Sequence, residues 1–160
     1  MNHSISALFQ PSVPGGTENQ ARPLAVLAVL SFCASIAILF KRVSQRATSS
    51  LHKKIIEIAG IGSMIYAFLV VTPMHDVLVG VALVFFVVAM LFTLHTVYLE
   101  RRHWMLFAGV VSLVIPLINA AMYYGNVFYG FLPIVQKLGI FMWAGWLLVL
   151  HFEGSNRDRQ

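Results

Sequence analysis

The chain has 160 residues, 59% of them hydrophobic and only 11% charged. A soluble domain carries about 25% charged residues, so this chain cannot cover itself with polar surface and reads as an integral membrane protein. Its net charge of +5 comes from short Lys/Arg clusters beside apolar runs, the pattern of topology signals, and without the basic and aromatic interleaving that grips a phosphate backbone no nucleic-acid partner is expected.

Residues 1–22 are polar and lack the charged-then-apolar pattern of a cleaved signal peptide. They are expected to form an extracytoplasmic segment ahead of a transmembrane domain over 23–151, with a cytoplasmic tail at 152–160. A spanning helix needs roughly 20 mainly apolar residues, and five stretches qualify. The first, Pro23 to Phe40, holds the single cysteine, Cys33, which excludes an internal disulfide or a multi-cysteine metal site. Ser31 and Ser35 offer it a small-residue face for close packing. The second, Ile55 to Thr72, has a similar face in Gly60, Ser63 and Ala67. Its one acid, Glu57, is expected to pair with Lys53 or Lys54, four and three positions earlier.

Pro73 ends that helix, because the residue before a proline avoids the helical region. Asp76 starts the third span, Val77 to Tyr98, where a carboxylate caps free N–H groups and meets the positive end of the helix dipole. The fourth span, Trp104 to Tyr124, contains Pro116. At about 100° per residue, Ser112, Pro116, Asn119 and Tyr123 share one side of it. The fifth, Phe131 to Leu150, carries the stripe Lys137, Phe141, Ala144, Leu148 and, just beyond it, His151. Polar groups in a span face the protein interior, so both stripes are expected to be packed faces. Backbone groups in lipid must be satisfied internally. The fold class is therefore all-α, a polytopic transmembrane bundle with five predicted spans and antiparallel neighbours.

Lys and Arg set its orientation. The loop after the first span holds Lys41, Arg42, Arg46, Lys53 and Lys54, that after the third holds Arg101 and Arg102, and the tail holds Arg157 and Arg159. The alternating segments 1–22, 73–76 and 125–130 contain only Arg22. The positive-inside rule places the N-terminus outside, the C-terminus in the cytoplasm, and the protein as multi-pass in the cell (inner) membrane.

That topology brings His75, Asp76, Asn119, Tyr123, Gln136 and Lys137 near the outer boundary. Together they offer an acid, a base, a cation and amides, enough to bind a lipid head group or small polar molecule. Two of them also have a structural reading: Asp76 as a cap, and Lys137 snorkelling to the boundary. Of the histidines, His95 lies in an apolar run and His151 is the one that comes near it. With no C-x-x-C-H and no H-x-x-x-H on a helix, neither a cofactor nor a metal is expected. Nucleophile motifs are missing too. Trp104 and Trp146, with Tyr98, Tyr123 and Tyr124, fit interfacial anchoring, and Trp143 fits packing.

"FLVVTPMHD", "HTVYLERR" and "GFLPIVQKLGIFMWAGWLLVL" together resemble the prokaryotic membrane proteins of domain-of-unknown-function family 998, distantly Frag1-like. In that family a "GxFP" turn has an acid or histidine nearby, and a Gln followed by Arg or Lys opens the last helix. Thr72-Pro73, His75, Asp76, Gln136 and Lys137 stand at the matching positions, and the likeness covers roughly residues 20–151. It implies the fold and topology but no reaction. Members usually have six spans, so "ISALFQPSVPGGTENQ" reads as the loop after a missing first helix. A late gene start explains that, as does a shortened member completing its bundle with a second copy or a partner membrane protein. Three functions stay open: a membrane protein binding a ligand at its outer cluster, a lipid-modifying enzyme using His75 and Asp76, and a small transporter subunit with Pro116 as hinge and Asn119 and Lys137 along the path.

Overall fold

The computed structural model describes residues 19–157, apart from positions 71 and 73 and the side chains at 75, 129 and 154–157. Most of the polar segment 1–22, and Pro73, therefore lie outside the described residues. Five helices follow in order: α1 Arg22–Ser44, α2 Ser50–Leu69, α3 His75–Leu99, α4 His103–Gly125 and α5 Leu132–Arg157, the last entered through a 3-10 turn at Tyr129–Phe131. The chain is an all-α helical bundle. Helices α1, α3, α4 and α5 are long and apolar enough to cross a membrane. Helix α2 has 20 residues, about 30 Å at 1.5 Å per residue, but gathers Lys53, Lys54 and Glu57 in its first two turns, which sets it apart from those four.

Several element ends differ from the sequence expectation: α1 runs on to Ser44 and α2 starts at Ser50, so both reach into the basic segment between them. Helix α2 stops at Leu69 rather than Thr72, and the Thr72 N–H turns back to the Leu69 carbonyl at 3.0 Å. A proline at 73 disfavours helical backbone at 72, so the chain leaves the helix a turn early. Helix α5 runs on to Arg157, through most of the expected tail. Helix α4 ends at Asn126 in the left-handed region, φ 53°, which asparagine tolerates better than most residues.

The helices pack in a ring: α1 on α2, α2 on α3, α3 on α4, α4 on α5, and α5 back on α1. Small residues set the close approaches. A Cβ at Gly60 would run into the Phe40 ring, and one at Gly109 into Trp146, with Leu94 Cδ2 at 2.5 Å. The expected small face of α2 is thus a packing face, with Ser63 fully buried. Ser31 and Ser35 of α1 are exposed instead. Each donates to the carbonyl four residues earlier, at 2.9 and 2.8 Å, and so needs no neighbouring helix.

The stripe expected to pack on α5 also turns outward. Lys137 is exposed, Phe141 is 77% exposed and Leu148 is exposed, while Ala144 is the buried member of the stripe. The inner face is Gln136, Ile140, Trp143, Leu147 and Leu150. Lys137, near the start of the helix, can carry its ammonium to the membrane boundary, and Phe141 has no polar group to pair, whereas the indole N–H of Trp146 finds the Met105 carbonyl at 2.9 Å. Trp146 is therefore a packing residue, not an interfacial anchor. Trp104 and Tyr98 at one end, and Tyr124 and Phe128 at the other, are exposed, as membrane-boundary aromatics are. Between them the ring presents Leu27, Ile38, Ile65, Val84, Leu91 and Phe107 outward. So large an apolar surface suits lipid rather than water.

Candidate functional site

Buried hydroxyls in this bundle serve themselves. Ser44, Ser63, Thr93, Thr96 and Ser112 each donate to a carbonyl three or four residues back on their own helix. A short hydroxyl reaches its own backbone, which is how a span hides a polar group in lipid. Asn119 and Gln136 do not manage this. Their amide oxygens, Oδ1 and Oε1, are buried without a hydrogen-bond partner.

Both residues line one cavity of about 540 Å³. It lies inside the ring at the end carrying the α2–α3 turn. All five helices contribute: the first half of α1 through Ala28 to Cys33, the second half of α2 through Ser63 and Met64, the first half of α3 through Val79 to Phe86, the second half of α4 through Asn119 and Tyr123, and the first half of α5 through Gln136 to Trp143. Pro116 lines it as well. Proline removes an N–H from the helix, and α4 nevertheless continues through it to Gly125.

At the cavity's end the Tyr123 hydroxyl donates to Asp76 Oδ1 at 2.6 Å, and the Tyr124 hydroxyl to the Asp76 carbonyl at 3.0 Å. Asp76 sits in the first turn of α3, where the dipole favours an anion. Its carboxylate ties α3 to α4. Of the six residues singled out in the sequence, Asp76, Asn119, Tyr123 and Gln136 come together at this end. Lys137 points away from the cavity into the surroundings. His75 opens α3, and its side chain is outside the described residues.

The apolar wall residues carried no sequence signal, since lipid-facing and cavity-facing phenylalanines look alike in a hydrophobic run. The expected pairing of Glu57 with Lys53 or Lys54 is not among the ion pairs of the described residues. Near His95 stands His52, ring centroids 5.1 Å apart, while His151 accepts from Arg42 Nη1 at 3.3 Å. Helix α2 curls its first turn against α3, a neighbour that residue spacing along one helix does not reveal. Among the described residues no group of three or more His, Cys, Asp or Glu is placed to hold a metal ion.

The opposite end of the ring is closed by charge. Arg46 pairs with Glu100 at 2.5 Å and donates from Nη1 to the Leu150 carbonyl at 2.7 Å. Arg102 pairs with Glu153 and lies 3.8 Å from Glu100. Phe40, Ile56, Met90, Leu147 and Leu150, all fully buried, fill the ring above this network. Compared with known proteins, the chain matches no family model, no curated sequence and no solved structure. Four apolar helices make it a multi-pass membrane protein by length and composition, and the cavity is the feature that a function has to explain.

Proposed function

We propose that the chain is a five-span protein of the cell (inner) membrane that binds a small amphiphilic ligand, a lipid or other small molecule, in the cavity between its helices. One observation carries this reading: a hollow walled by all five helices is lined by two amide residues, Asn119 and Gln136, whose buried oxygens no protein group pairs. Ligand sites are concave, mainly apolar, and furnished with a few convergent polar groups, in volumes of about 300–1,000 Å³. Leaving a buried acceptor unsatisfied costs about 1–3 kcal/mol, so a folded chain that keeps two of them has a use for them. Counting α2 as a span is supported by its place in the ring between α1 and α3.

The charges support an orientation with the cavity outward. Arg42, Arg46, Lys53, Lys54, Arg101 and Arg102 cluster at the packed end, and the cavity end carries Arg22 and Lys137. Transport takes less support. Lys137 does not line the cavity, and fully buried side chains block the ring beyond it. Likeness to family 998 stays a proposal resting on Thr72-Pro73 and Gln136-Lys137, and it brings no reaction with it.

Native mass spectrometry of the protein released from its own membranes tests the binding reading. The unaltered chain should retain a small molecule, and the variant Ala82→Leu/Ala120→Leu, which fills the cavity from two walls, should not. Bare protein in both spectra, or the same adduct in both, overturns it. Orientation is tested separately by Met74→Cys, exposed in the α2–α3 turn. An impermeant maleimide should label it from outside intact cells, and labelling only after permeabilisation reverses the topology.

A further inference from the structure

We infer that the ligand is an uncharged amphiphile drawn from the bilayer whose polar end is a hydroxyl, held between the amides of Asn119 and Gln136. This deepens the binding reading above and rests on it. The charge of the wall is the first ground. Among the described residues no Asp, Glu, Lys, Arg or His lines the cavity, and an ion moved into apolar surroundings without a counter-charge is costly. The nearest cation along α5, Lys137, faces outward. A phosphate, carboxylate or ammonium end therefore finds no counter-charge in the lining, and the Asp76 carboxylate at the cavity's end is already held by the Tyr123 hydroxyl.

The second ground is the amides themselves. Each offers an acceptor oxygen and a donor NH₂, and both oxygens are buried and unpaired within the wall. A partner that donates and accepts satisfies an amide whichever way it is turned. A hydroxyl is the smallest group that does both, whereas an ammonium only donates and a carboxylate only accepts. The third ground is the remainder of the wall, where Phe32, Met64, Phe86 and Trp143 offer an alkyl chain the apolar contact it has in lipid.

Trp143 reports occupancy directly, because bromine atoms quench a neighbouring indole. The protein is placed in phosphatidylcholine vesicles with Trp104→Phe, which removes a tryptophan exposed to lipid. It is then titrated with ω-bromoundecanol, ω-bromoundecanoate and bromoundecane. The alcohol should quench saturably at a membrane concentration about tenfold below that of the other two, as expected for one or two hydrogen bonds of about 1 kcal/mol each. Trp143→Phe should lose the saturable component. In Asn119→Leu/Gln136→Leu the alcohol should bind no better than the alkane, with the alkane's quench kept. Unbrominated monoolein in the vesicles should displace the alcohol; displacement by glycerol in the buffer instead overturns a bilayer source.

Equal saturable quenching by all three probes, or preference for the carboxylate, overturns the hydroxyl assignment and leaves cavity binding standing. Saturable quenching by none, or its persistence in Trp143→Phe, overturns cavity binding itself. The three-probe comparison uses unaltered amides, so it decides the matter even if the double leucine variant does not fold.

Discussion

The two ends of the helix ring are built on opposite terms. At one end Phe40, Ile56, Met90 and Leu147 are fully buried, and Arg46, Glu100, Arg102 and Glu153 answer one another's charges. At the other, the same five helices part around about 540 Å³ and leave two amide oxygens without partners. Close packing is the ordinary state of a protein interior, with few voids larger than a water. The packed end shows that this sequence can reach that state. The hollow end is therefore a property of its residues, not of helices too irregular to meet.

The sharpest way to break the contrast is to unsettle the packed end. Arg46 is 12% and Glu100 20% exposed in their side chains, so removing one partner leaves a largely buried charge. Arg46→Met should cost about 3 kcal/mol in reversible unfolding in mixed micelles, and Arg46→Met/Glu100→Gln should recover much of it. A loss below about 1 kcal/mol would reduce this pair to a surface contact.

The same methylenes should have opposite effects at the two ends. Ala89 is fully buried in the packed half, so Ala89→Leu should destabilise by about 2 kcal/mol through overpacking. Ala120 lines the cavity, and Ala120→Leu should stabilise by about 1 kcal/mol, as cavity filling commonly does. If both variants lose stability equally, the hollow end is not hollow in the membrane. The smallest effect belongs to the rim. Tyr123→Phe deletes the hydroxyl that meets Asp76 at 2.6 Å. At an exposed position this should cost about 0.5–1 kcal/mol while lowering the temperature at which α3 and α4 separate in a cysteine cross-linking assay; an unchanged temperature would make the contact incidental.

What the sequence made legible follows from how lipid constrains it. Five apolar runs gave five helices because backbone in lipid has few other options. The inner face of α4 was readable since Ser112, Pro116, Asn119 and Tyr123 recur on one side of an otherwise apolar helix, and Pro116, Asn119 and Tyr123 do line the cavity. On α5 the same rule misled. Its polar marks, Lys137 and His151, stand near the helix ends, where a long or amphipathic side chain can reach the boundary and need not face inward. Gln136, one position along and lacking that reach, is the residue that lines the cavity. The ion network was hidden for a different reason. Arg46, Glu100, Arg102 and Glu153 are up to 107 residues apart, so their charges show in sequence only as a topology signal.

The contact between α1 and α5 has a bearing on how the protein is made. It joins the earliest and latest of the five helices to leave the ribosome. Until α5 inserts, Asn119 fronts an open trough and Gln136 and Trp143 are not yet beside it. Every helix but one can be in place and the cavity still not exist. Its completion thus waits on the insertion of α5, and a chain cut short within α5 would leave a polar amide exposed to lipid, the kind of flaw by which membrane quality control recognises an unfinished product.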